Sequence, residues 1–165
     1  MKSLWDRIRK GRHTVVVGSP VPAPEPNDGI ALIRVACDRP GGPFGPLLEA
    51  WQKTVLLLGG NSLLRPGASG ELRAGLRNQL LGAGRAPGDA CSSIVEALNQ
   101  LAATADTAGH PIGLVMEAAD QADDGTLTML TRMVERPDWL QLPLVIHANS
   151  APTTGPLAEL MAAVK

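Results

Sequence analysis

This sequence predicts a doubly wound α/β domain, its parallel sheet of four strands, or five, flanked by helices. Two observations carry that reading. Four short apolar runs are near-continuous rather than alternating, as in strands buried on both faces. Amphipathic segments of helical period separate them, which is the pattern of a sheet covered on both sides. The size agrees. A chain of 165 residues, 44% apolar and 19% charged, suits one globular domain with a real core, and residues 1–165 are read as a single unit. Aromatic residues make up only 2% of the chain, so the core must be mostly Leu, Val, Ile and Ala.

The elements follow in order. Ser3-Leu-Trp-Asp opens a short helix with Ser3 as its cap; Leu4, Trp5 and Ile8 share a face, and Gly11 ends it. His13-Thr-Val-Val-Val-Gly-Ser is the first strand. From Ser19 to Gly29 the chain is a loop with prolines at 20, 22, 24 and 26, which forbid a helix and favour extended backbone. Ile30-Ala-Leu-Ile-Arg-Val-Ala-Cys is the second strand, followed by a Gly/Pro-rich turn. Pro46 suits the first turn of a helix carrying Leu47, Leu48, Trp51, Val55 and Leu58, stopped by Gly59-Gly60. Residues 61–70 read as loop. Leu72, Leu76 and Leu80 mark a further helix, ended by Gly82 and Gly84. A long helix after Pro87 carries Cys91, Ile94, Leu98, Leu101 and Ala105 on one stripe and stops near Gly109. Pro111 to Glu117 is the third strand. Asp123 or Asp124 caps a helix with Leu127, Leu130 and Val134, and Pro137 ends it. Leu142 to Ala148 is the fourth strand, and Thr154 caps a last helix through Leu157, Leu160, Met161 and Val164.

Composition excludes several functions. A net charge of -1 leaves no electrostatic footprint for nucleic acid or an anionic membrane. No apolar run approaches the roughly 20 residues that span a bilayer. Met1 to Arg12 is charged, with no apolar signal-peptide core after it, so a cytoplasmic location is expected. Arginine greatly outnumbers the four lysines, and Ala, Gly and Pro are abundant, which hints at a GC-rich bacterial genome. Cys37 and Cys91 form no CxxC or Cys/His cluster and are read as buried thiols. His13, His110 and His147 lie at strand ends without metal-ligand spacing. No metal is expected.

The order of segments resembles a known family. Ile112-Gly-Leu-Val-Met-Glu-Ala-Ala-Asp-Gln-Ala-Asp-Asp-Gly-Thr-Leu is similar to the Walker B region of the signal-transduction ATPases within the AAA+ superfamily. Arg34 to Leu47 resembles the end of their second strand and the turn into the next helix. Leu142 to Asn149 resembles their sensor strand, and His13 to Ser19 the strand that feeds the phosphate-binding loop. The likeness spans roughly residues 11–150. It implies a P-loop-type sheet with strand four between strands one and three and strand two at the edge. The family's fifth strand has no clear counterpart before Lys165.

The family's chemistry has firm requirements, and this sequence departs from them. A glycine loop must present backbone N–H groups and a lysine to the phosphates at a helix N-terminus. No G-x-x-x-x-G-K-[ST] occurs in this chain, and the lysines are Lys2, Lys10, Lys53 and Lys165. After Gly18 come prolines, which lack the N–H donor, and the second strand begins where the loop's helix would stand. Glu117 holds the position of the metal-binding Asp, Ala118 that of the water-orienting acid, and Asn149 that of the polar sensor. The resemblance therefore implies a non-catalytic, P-loop-like module without its loop or helix, with no cofactor, acting through a protein partner in a regulatory or scaffolding complex. The alternatives are a divergent nucleotide-binding protein or weak NTPase using Glu117 and Asn149, and a small-molecule enzyme with its site at the strand C-terminal ends.

Gly18, Glu117, Asp120 and Asn149 are the candidates for a vestigial site. Each has a plainer reading: a solvated strand end for Glu117 and Asp120, and turn chemistry for Asn149. Asp123 and Asp124 are read as caps, Gly41, Gly42 and Gly45 as a turn, and Ser92 and Ser93 as helix surface. Trp5, Trp51 and Trp139 are candidate partner anchors, with core packing as the competing account. A tether of about 11 residues at roughly 3.3 Å each can cross two strands but buries little. One sheet face is thus expected to be incompletely covered unless the first helix lies over it, leaving an apolar patch for self-association or a partner.

Overall fold

The computed structural model describes residues 2–59, 87–136 and 138–164. The helix expected over Leu72, Leu76 and Leu80, the loop at 61–70 and Pro137 as a helix stop lie outside those residues. The elements run α1 (Lys2–Arg9), β1 (Thr14–Val17), β2 (Ala31–Ala36), α2 (Gly45–Gly59), α3 (Pro87–Ala108), β3 (Ile112–Glu117), α4 (Asp124–Glu135), β4 (Leu144–Ala148) and α5 (Pro156–Ala163). Among the described residues four strands form one sheet, in the order β1-β4-β3-β2. Every pairing is parallel.

The connections cover opposite faces because the chain reverses direction across the sheet. From β1 it crosses two strands to the far edge, then steps back through β3 to β4. Crossovers of one hand then place the first connection on one side and the later ones on the other. The larger core lies on the later side. There Ile33, Val35, Leu114, Met116, Leu144 and Ile146 meet α2 through Leu47 and Leu48, α3 through Ile94 and Leu98, α4 through Leu130 and Met133, and α5 through Leu157 and Leu160.

The other face holds a smaller cluster of Trp5, Ile8, Val21, Ile30, Val115 and Val145. Here the first helix supplies the cover that the sequence left conditional. Helix α1 lies over this face, with Trp5 6% and Ile8 1% exposed. Gly113 lies beneath the helix, where a Cβ would stand in close contact, 3.4 Å from both Ile8 Cγ2 and Leu32 Cδ2. The crossover adds Val21 and Ile30 to the same cluster. Among the described residues the exposed large hydrophobics are Val17, Leu56 and Leu57, none of which belongs to this cluster.

Local details differ from the sequence reading in three places. Helix α1 begins at Lys2, so Ser3 lies inside it rather than capping it. The Pro-rich crossover contains one 3-10 turn, Pro26–Asp28, bracketed by a reciprocal Glu25/Asp28 capping box. Proline is tolerated there because it stands first, where its missing N–H has no partner to lose. Helix α5 is preceded by Gly155 at φ 91, without a side-chain cap, so Thr154 is not the capping residue.

Asp123 does cap α4. Its carboxylate accepts from the Thr126 backbone N–H at 2.9 Å and from Thr126 Oγ1 at 2.6 Å. It also accepts from the Phe44 N–H at 3.3 Å, which ties the turn before α2 to the start of α4. The Phe44 ring occupies the space beside Gly125, where a Cβ would come within 2.8 Å of it. Asp123→Ala is therefore expected to cost about 1–2 kcal/mol of unfolding free energy, read from the midpoint of a denaturant titration. An unchanged midpoint would mean the cap carries no load.

Candidate functional site

The C-terminal ends of the strands meet at one edge of the sheet, since Ala36 pairs with Glu117 and Val17 with Ala148. Side chains alternate across a strand. Arg34, Glu117 and His147 each lie two residues beyond Leu32, Val115 and Val145, which face α1. All three polar side chains are therefore on the α1 face, at the edge where the crossover leaves β1.

Arg34 organises this edge. Its Nη1 donates to Glu117 Oε1 and, at 3.0 Å, to the Val21 carbonyl, and its Nη2 donates to the Pro22 carbonyl. Behind it, Lys53 of α2 donates to the Arg34 carbonyl at 2.6 Å and pairs with Glu49 at 2.8 Å. Two consequences follow. The Glu117 carboxylate already has a cation. The crossover turns carbonyl oxygens, not N–H groups, toward the site, which is the opposite polarity from a phosphate cradle.

The other vestigial candidates divide between two arrangements. The Gly18 N–H donates to the Ala148 carbonyl at 3.0 Å, so it is committed to the sheet edge. Asp120 and Asn149 are brought together. The Asn149 backbone N–H donates to Asp120 Oδ1 at 2.9 Å, and its side-chain amide reaches both carboxylate oxygens at 3.2 and 3.1 Å. Glu117 stands apart from that pair, on Arg34.

These bonds, led by the Asn149 backbone donor, hold the Asp120 carboxyl down to about 2. The folded-state value lies below the ordinary carboxylate value of about 4. The contact is therefore at full strength above the unfolded-state pKa and is lost as pH falls through about 2. The Asn149 amide resonance is expected to hold steady as acid is added through the usual carboxylate range and to move only near the lower value. A midpoint in the usual range would remove the claim.

A cleft of about 460 Å³ opens beside Glu117, walled by Pro20, Val21, Ala36, Asp38, Arg39, Pro40, Ala118 and His147. His147 is 7% exposed. Its Nδ1 accepts from the Ala118 N–H at 3.3 Å, an interaction in which Ala118 adopts φ 54. Its Nε2 is buried and lacks a hydrogen-bond partner. Sequence reasoning placed His147 in a strand without a role and passed over Arg34. The available signal was a polar residue interrupting an apolar strand, in Leu-Ile-Arg-Val-Ala and again in Leu-Val-Ile-His-Ala.

The remaining candidates sort plainly. Trp5 is core rather than a partner anchor, which corrects that expectation. Trp51 and Trp139 are half-buried against the main core, and the Arg136 guanidinium lies 4.9 Å from the Trp139 ring centroid. Cys37 and Cys91 are buried free thiols. Burial first, then the nearby Asp123 charge, pushes Cys37 up to about 12, which suppresses thiolate chemistry there. His13 is held below its ordinary value by burial, and its Nδ1 accepts from the Leu144 N–H at 3.1 Å. Among the described residues no group of three or more His, Cys, Asp or Glu is placed to hold a metal ion. Among them, too, no helix is long and apolar enough to cross a membrane.

No family model, curated protein or solved structure matches this chain.

Proposed function

We propose that this domain is a non-catalytic, P-loop-like module that works by binding a protein partner in a regulatory or scaffolding complex. The observation that carries the non-catalytic half is the Arg34 cluster. Glu117, the residue that would hold a nucleotide's metal, is engaged by Arg34, and that same guanidinium binds the Val21 and Pro22 carbonyls. With the Arg34 guanidinium committed to these acceptors, neither it nor Glu117 is left to receive a triphosphate or its metal. The protein-partner half rests on the resemblance of the segment order to that of the signal-transduction ATPases.

The runner-up, a divergent nucleotide-binding protein, needs Glu117 and Asn149 available to a metal and a phosphate. Both are already engaged, by Arg34 and Asp120. Calorimetric titration with ATP and with GTP in the presence of Mg²⁺ separates the two readings. The expected result is no binding and no phosphate release. Micromolar affinity for either nucleotide would overturn the proposal.

A further inference from the structure

We propose that the cleft beside His147 is a binding site for a small zwitterion of the amino-acid type, with the ligand's carboxylate on His147 Nε2–H and Arg39 and its ammonium toward Asp38. The inference goes beyond the non-catalytic reading and does not depend on it.

The argument starts from one atom. Ala118 N–H can only donate, so the Nδ1 that faces it carries no proton, and the neutral ring bears its hydrogen on Nε2. That N–H donor is buried without a partner. Leaving a buried donor unsatisfied is costly, and native folds rarely do so without a reason. The residue is more than nine-tenths buried and belongs to the wall of the cleft. An acceptor oxygen entering from the cleft supplies what the ring lacks.

The rest of the wall selects the ligand. Arg39 and Asp38, both exposed, stand on the same rim with opposite charges. Glu117 lines the cleft too, already paired with Arg34. A dianion is disfavoured by two carboxylates, and a simple cation leaves Nε2–H unserved. A molecule with one carboxylate and one ammonium satisfies both signs. The volume of about 460 Å³ is within the range of small-molecule sites. The location agrees with the rule for open parallel sheets. The cleft lies beyond the C-terminal ends of β2, β3 and β4, through Ala36, Glu117 and His147, the end of the sheet at which such folds bind ligands. Nε2 itself is buried, so a ligand reaches it only as the cleft wall opens.

The test uses the intact chain labelled with ¹⁵N and three probes: glycine, acetate and inorganic phosphate. Long-range ¹H–¹⁵N spectra report the His147 ring, and amide spectra report Ala118 and Arg39. The expected result is a saturable shift at Nε2 and at both amides with glycine, weaker with acetate and weakest with phosphate. His147→Phe should abolish the saturable shift while keeping the fold, since it removes an unserved polar group. Should that variant misfold, Arg39→Gln, at an exposed position, should weaken glycine roughly tenfold with the melting temperature unchanged. Three outcomes overturn the proposal: no saturable shift with any probe, as when only a water serves Nε2; undiminished binding in both variants; or phosphate binding tighter than glycine. Nucleotide binding would sink the non-catalytic reading and leave this one standing.

Discussion

Trp5→Ala is expected to lower the unfolding free energy by about 3–5 kcal/mol, the largest single effect anticipated in this domain. Helix α1 has only eight residues, too few to persist alone in water. Its stability must come from docking. Trp5 and Ile8 supply the apolar contact with Val115 and Val145. Polar bonds set its position: Arg7 Nε donates to Thr14 Oγ1 at 3.0 Å, and Arg9 donates to the Asp28 carbonyl at 2.9 Å. The second bond ties α1 to the 3-10 turn of the crossover. Removing the indole leaves a cavity against the sheet and loosens both elements. Chemical denaturation measures the loss, and hydrogen exchange should show the amides of β1, Asn27 and Asp28 losing protection first. A loss within about 0.5 kcal/mol, the ordinary level for a surface change, would mean that α1 contributes little to covering this sheet face.

Arg34→Ala is the second large effect. The substitution removes three hydrogen bonds at once and leaves Glu117 without its cation. Breaking a fully buried pair in this way costs about 3–5 kcal/mol. Here the side chains are 31% and 34% exposed, so water takes up part of the lost interaction and about 2 kcal/mol is expected. The crossover should also lose its anchor. Limited proteolysis between Ser19 and Gly29 is expected to accelerate more than global stability alone explains. Adding Glu117→Gln should restore part of the stability, because the uncompensated carboxylate is then gone. A double variant as unstable as the sum of the two singles would deny the coupling between these residues.

The fold was largely legible in the residues. The apolar runs at Thr14, Ala31, Ile112 and Leu144 became the four strands, and the order drawn from the family resemblance matches β1-β4-β3-β2. Asp123 was readable as a cap because capping is chemistry within a few residues. Errors at helix starts, at Ser3 and Thr154, are of the same local kind: several polar residues compete for one boundary. The covering of the second face was less legible. An N-terminal amphipathic helix states that it has an apolar side, and nothing in its period says which surface receives it.

The candidate site was legible only in part. Asp120 and Asn149 were each singled out, yet their mutual engagement spans 29 residues of chain. Arg34 was not singled out at all, and its partner Glu117 lies 83 residues away. In this chain, period and punctuation sufficed for the four strands and the described helices, since those depend on neighbours a few positions apart. Tertiary packing alone assigned Trp5 to the core, Arg34 to Glu117 and the crossover, and left the His147 Nε2 unserved. Such pairings arise from strand register and from which face each connection crosses, and both are set by the burial of the whole sheet at once.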